Sequence, residues 1–104
     1  MITKGVFMTD QLNVIAKIKP HTENLGAARN AICAIVDRTR AEPGCVTFRL
    51  SENAKDGSLH LYEEWRDEAA LEAHHQQPYT KAVFEAYKDW LVEEPDIIHL
   101  RPVC

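Results

Sequence analysis

Two stretches of period-two hydrophobicity, Cys45–Leu50 and Leu59–Trp65, flank the polar run Asn53-Ala54-Lys55-Asp56-Gly57. Such a run is turn chemistry, so the two stretches are expected to pair as a β-hairpin. Side chains alternate along a strand. Val46, Phe48 and Leu50 therefore share one face of the first strand, and Leu59, Leu61, Glu63 and Trp65 share one face of the second. An antiparallel sheet with one apolar face needs a layer to cover it, and this requirement restricts the fold more than any other feature.

The rest of the chain supplies that layer. Gln11 to Lys19 alternates Leu12, Val14, Ala16 and Ile18 with more polar residues and ends at Pro20, which reads as a further strand. Thr22 is the expected N-cap of a helix whose stripe is Leu25, Ala28, Ile32, Ile35, Val36 and Thr39, stopped by Glu42-Pro43-Gly44. Asp67 is placed to cap a second helix, which Pro78 breaks in two. Its second half carries Tyr79, Ala82, Val83, Ala86 and Trp90 in a stripe, with Phe84, Tyr87 and Leu91 beside it. Pro95 to Leu100 gives a last strand. The order β-α-β-β-α-β is the ferredoxin-like α+β arrangement, an antiparallel sheet with helices on one side. Residues 1–10 read as an N-terminal tail, with Met8 a second candidate start, and residues 11–104 as one domain.

Composition narrows the function classes. The 104 residues are 45% hydrophobic and 27% charged, as in an ordinary globular domain, and the net charge of −4 offers nothing to a phosphate backbone. Neither a membrane span nor the apolar stretch of a secretory signal is seen, so a cytoplasmic protein that binds no membrane or nucleic acid is expected. The three cysteines, Cys33, Cys45 and Cys104, fit a reducing compartment and make no zinc signature. His21, His60 and His99 lack ligand spacing, and His75 is turned about 100° around its helix from His74, so no metal site is expected.

Chemistry concentrates on one face. Glu63 stands between Leu61 and Trp65 on the inner row of its strand, where a carboxylate is costly unless paired or wet. The helix after Asp67 lays Ala70, Leu71 and His74 over that row at i, i+1, i+4 spacing. An acid, an indole and an imidazole thus converge on an apolar space. His74 is the natural base, Glu63 is placed to hold its tautomer or stabilise its charged form, and Trp65, Phe48, Tyr79 and Phe84 are placed to stack on an aromatic ring.

Four segments in this order, Val14-Ile15-Ala16-Lys17-Ile18-Lys19-Pro20, Glu42-Pro43-Gly44-Cys45, Tyr62-Glu63-Glu64-Trp65 and Leu71-Glu72-Ala73-His74 with Pro78-Tyr79 following, resemble the antibiotic biosynthesis monooxygenase family near its quinol monooxygenase branch. The resemblance runs from about Leu12 to Leu100. It implies a dimeric α+β barrel, a pocket between helices and sheet in each subunit, and no flavin or metal cofactor. Members oxidise quinols or polyketide phenols with dioxygen, degrade haem, or isomerise small signalling sugars. Glu63 and Trp65 fall on the family's Glu-x-Trp strand and His74 on its Ala-His helix position. Tyr79 stands where many members have a second histidine, which speaks against a two-histidine mechanism. The haem-degrading branch uses an Asn, and Asn13 points away from the Trp65 face, which argues against that activity.

The expected function is a cofactor-independent monooxygenase acting on a quinol-like or phenolic aromatic with dioxygen, as a homodimer formed through the face carrying Ile15, Thr47 and Tyr62. Its catalytic residues would be His74, Glu63 and Trp65, and its substrate-binding residues Phe48, Tyr79 and Phe84. A proton-transfer enzyme such as an isomerase on a small carbonyl compound, and a non-catalytic binding or stress-response dimer, are the alternatives, since a fold does not fix a function.

Overall fold

The computed structural model describes residues 10–104, and the tail expected over residues 1–10 lies, but for Asp10, outside the described residues. Four strands, β1 (Leu12–Ile18), β2 (Cys45–Glu52), β3 (Leu59–Trp65) and β4 (Asp96–Leu100), form one antiparallel sheet in the order β2-β3-β1-β4. Between β1 and β2 run α1 (Leu25–Cys33) and α2 (Val36–Arg40), and between β3 and β4 run α3 (Glu68–His75) and α4 (Pro78–Trp90). The ferredoxin-like topology is as expected.

Alternation sets the layers. Val14, Ala16 and Ile18 of β1 and Leu59, Leu61, Glu63 and Trp65 of β3 are all buried on the helix-covered face. The register pairs Glu63 with Val14 on one side and Phe48 on the other, so the carboxylate sits in an apolar row across three strands. Ala28, Ile32 and Ile35 cover the row from α1 and its end, and Ala70, Leu71 and His74 cover it from α3. Asp67 caps α3 by accepting a bond from the Ala70 amide at 2.8 Å, which fixes where that helix begins and so where His74 falls.

Several local expectations are corrected. Val46 is 57% exposed, because a bulge lets Cys45 pair with Trp65 and Thr47 with Glu64, leaving Val46 unpaired and turned outward. Thr22 is not an N-cap: it opens a 3-10 turn over Thr22–Asn24, and α1 starts after Asn24. The long stripe to Thr39 is divided at Ala34–Ile35, where Ile35 leaves helical geometry and α2 starts afresh. On α4 the buried face is Thr80 and Tyr87 with half-buried Val83, while Ala82 is exposed; the packed face is rotated from the expected stripe.

Gly44 follows the Glu42-Pro43 stop with φ +88°, a left-handed backbone that glycine adopts without strain. A Cβ there would lie 2.6 Å from Ala70 Cβ. Gly44 thus allows the α2–β2 turn to press against the start of α3, and its carbonyl accepts from the Arg66 amide at 2.7 Å. That contact brings Glu42 under His74.

β4 is built differently from the other strands. Among the described residues it bonds only to β1, and Ile97, Ile98 and Leu100 are 46%, 47% and 42% exposed. Ile97 lies on the helix-side face and Ile98 on the other, since Ile97 pairs with inward Ala16 and Ile98 with outward Ile15.

Candidate active site

A small cavity of about 50 Å³ lies between β1, β3, β4 and the helices, with Glu63, His74, His75, Tyr87 and His99 as its titratable lining groups. Its remaining wall is mainly apolar and includes Val14, Leu61, Phe48, Val83, Phe84 and Ile97. The cavity is part-open to solvent along Phe84 and Ile97, which are 39% and 46% exposed.

His74 is 4% exposed and held from three sides. Its ring lies 4.8 Å from that of Trp65 and 5.6 Å, edge-on, from Phe48. Its Nδ1 is 3.0 Å from Glu42 Oε2, with the Thr80 hydroxyl at 3.4 Å. A carboxylate accepts a hydrogen, so in the neutral ring Nδ1 carries the proton and Nε2 keeps a lone pair. Nε2 has no protein partner, yet among the described residues the buried side-chain nitrogen or oxygen lacking one is Thr39 Oγ1. Nε2 is thus left open to the cavity that His74 lines.

Glu42 itself is pinned. The Tyr79 hydroxyl donates to the same Oε2 that faces His74, and Arg38 stacks over the Tyr79 ring at 4.6 Å. Burial and the bond to Glu42 push the Tyr79 phenol up to about 12, so it stays a donor at neutral pH. Sequence reasoning assigned the tautomer-holding role to Glu63; the geometry gives it to Glu42. The signal was present, since Glu42 sits in the turn that stops α2, but only the pairing of Gly44 with Ala70 and Arg66 brings that turn to α3.

Glu63 faces a different task. Its Oε1 accepts from Trp65 Nε1 at 2.9 Å. Burial pushes its carboxyl above the ordinary range, against the lowering effect of that bond. Burial also raises the Tyr87 phenol, with the Glu63 charge adding to it. Burial, followed by the adjacent His74 ring, holds the His75 imidazole below its usual range.

The residues singled out in the sequence divide as follows. Glu63, His74, Phe48 and Phe84 line the cavity. Trp65 is fully buried behind it, touching His74 and Glu63 rather than the open space. Tyr79 does not line it: its hydroxyl reaches Glu42 instead, because Pro78 starts α4 and turns Tyr79 toward α2. His75, expected to face elsewhere, lines the cavity and meets Phe84 at 5.7 Å. His99 joins it from the inner face of β4, a placement that alternation along the last strand already implied. Among the described residues no three His, Cys, Asp or Glu side chains cluster as a metal site would need, and Cys33, Cys45 and Cys104 are free thiols.

A ferredoxin-like sheet that closes an acid–base pocket under its helices defines a class of small α+β domains. Residues 12–86 match the sequence profile described as antibiotic biosynthesis monooxygenase, and the chain belongs to that family. The curated "Putative monooxygenase Rv0793" of Mycobacterium tuberculosis is 38% identical over 72 residues, covering 69% of this chain and 71% of its own. The solved structure of Rv0793 superposes with a TM-score of 0.86 at 30% identity, covering 90% of this chain and 96% of that one. The structure of PA3566 from Pseudomonas aeruginosa gives a TM-score of 0.86 at 28% identity, covering 93% and 98%.

Proposed function

We propose that the protein is a cofactor-independent monooxygenase that oxidises a quinol-like or phenolic aromatic with dioxygen, with His74 as general base. The observation that carries this reading is the pairing of His74 Nδ1 with Glu42, which leaves Nε2 as a free acceptor in an apolar cavity. Family membership and the monooxygenase name borne by a relative support the reaction class.

Singlet organic molecules react slowly with triplet dioxygen, and a phenolate is a far better electron donor than a phenol. His74 Nε2 takes the proton of a ring hydroxyl, and Glu42 stabilises the imidazolium that results. The phenolate passes one electron to dioxygen, and the radical pair joins at a ring carbon to form a hydroperoxide. Loss of water then leaves one oxygen atom on the ring. The imidazolium returns its proton to the peroxide anion. The hydrogen on the attacked ring carbon then leaves as a proton while the O–O bond breaks. The departing hydroxide takes up that proton as water, and quinol and dioxygen have become hydroxyquinone and water. Glu63 stands in the same cavity to take or return the second hydroxyl proton. Phe48 and Phe84 supply ring contacts, and the apolar wall excludes bulk water.

The same reading includes a homodimer formed through the uncovered sheet face, where Ile15, Tyr62, Ile98 and Leu100 expose apolar surface. Thr47 and Tyr62 both donate to Glu64 there at 2.6 Å, leaving Glu64 few free acceptor sites to desolvate. The decisive experiment is oxygen uptake with a chemically reduced single-ring quinol and metal-stripped protein. A rate above the uncatalysed one, lost in His74→Ala, supports the assignment; no difference between enzyme and blank sinks it.

A further inference from the structure

We infer that this site takes an uncharged hydroxylated ring and rejects the same ring bearing a carboxylate or other anionic group. The inference rests on reading the cavity as the substrate site and adds a charge rule to it.

Among the described residues, none of those lining the cavity is a lysine or arginine. Its acidic group is Glu63, 7% exposed, with one oxygen committed to Trp65. The histidines do not reverse this balance. His75 is held toward its neutral form by burial, the His74 ring is paired through Nδ1 with the Glu42 carboxylate, and His99 lines the cavity from the exposed strand β4, where solvent screens its charge. Arg38 and Arg40 are engaged elsewhere, the first over Tyr79 and the second donating to the Phe48 carbonyl at 3.0 Å.

A groove beside the cavity is acidic as well. Formed by Phe84, Tyr87, Lys88, Leu91, Glu93, Glu94 and Pro95, it shares Phe84, Tyr87 and Pro95 with the cavity wall. Its cation, Lys88, is already bonded to both oxygens of Glu85 at 3.1 and 2.9 Å. Asp96 follows Pro95 at the start of β4. An anion would therefore leave water beside an acidic groove for a cavity whose described lining holds no lysine or arginine, which is costly in a low-dielectric space.

A neutral ring meets the opposite situation. Its hydroxyls are donors, and Glu63 and His74 Nε2 are the acceptors that face them. Charge appears only after the proton moves to His74, and then as a pair, phenolate beside imidazolium. A substrate that arrives already ionised would place a second negative charge beside Glu63 with one imidazolium to balance both.

The test is anaerobic titration calorimetry at pH 7 with 2,5-dihydroxybenzamide and 2,5-dihydroxybenzoate, which match in shape and hydroxyl positions and differ in charge. The amide is expected to bind at least tenfold more tightly. Ile97→Lys places a cation on the half-exposed wall contributed by β4 and is expected to raise benzoate affinity at least tenfold. Equal or tighter binding of benzoate by the parent protein, or binding of neither ring, overturns the charge rule. Tight binding of the amide without oxygen uptake by any quinol leaves the rule standing and sinks the monooxygenase reading. Oxygen uptake that is as efficient with benzoate as with amide does the reverse.

Discussion

A histidine serves as a base only if one ring nitrogen is kept without its proton, and under the proposed function that choice rests on Glu42. Glu42→Gln can donate where the carboxylate accepts, which favours the wrong tautomer. Turnover is expected to fall about 10² to 10⁴-fold, a loss comparable to removing the base itself in His74→Ala. Nitrogen-15 NMR of the imidazole should show Nδ1–H in the parent and a mixed or inverted tautomer in Glu42→Gln; an unchanged spectrum would remove Glu42 from this role. Glu63 makes a separate, purely thermodynamic prediction. Its carboxyl is raised by burial, so the folded state holds the proton more tightly than the unfolded chain. Stability is therefore lost as pH rises from the unfolded carboxyl's range through the folded value, and stays lost above it. Glu63→Gln keeps an acceptor for Trp65 without the ionisation, and should gain more stability over the parent at pH 8 than at pH 4 in paired denaturant titrations.

Local elements differ in how openly the sequence declares them. Strand β3 was legible to the residue and β1 to within one residue at each end, because their alternation matches a sheet with one dry face. So was α3, where Asp67 and the buried Ala70, Leu71 and His74 agree. The β2 bulge was not legible: Val46 has the same character as Phe48, and only the partner strand decides which residue is skipped. Nor was the pairing of Glu42 with His74, which joins residues 32 apart in sequence through a contact between two turns. Hydrophobic periodicity reports which side of an element is dry, and says nothing of which polar groups meet across elements. The Gly44 turn is the element on which that meeting depends. Gly44→Ala should destabilise the fold by about 1–3 kcal/mol, combining left-handed strain with the clash at Ala70. If Glu42 is set by this turn, the same variant should disturb the His74 tautomer signal; a native signal in a destabilised but folded Gly44→Ala protein would separate the two.

Across the whole molecule, one sheet face is covered by helices and the other carries Ile15, Tyr62, Ile98 and Leu100 in the open. If two copies bury this face against each other, light scattering at micromolar concentration should report twice the chain mass, and Tyr62→Glu with Ile98→Asp should return a monomer. A monomeric parent would sink the dimer. The other consequence concerns β4, an edge strand hydrogen-bonded on one side whose Ile97 and His99 form part of the cavity wall. A ring seated in the cavity would pack against β4 and act as a wedge that keeps this strand from detaching. The amides of Ile97 and His99 should then exchange with deuterium more slowly once the site is filled than in the free protein, so that an edge strand reports whether the site is occupied.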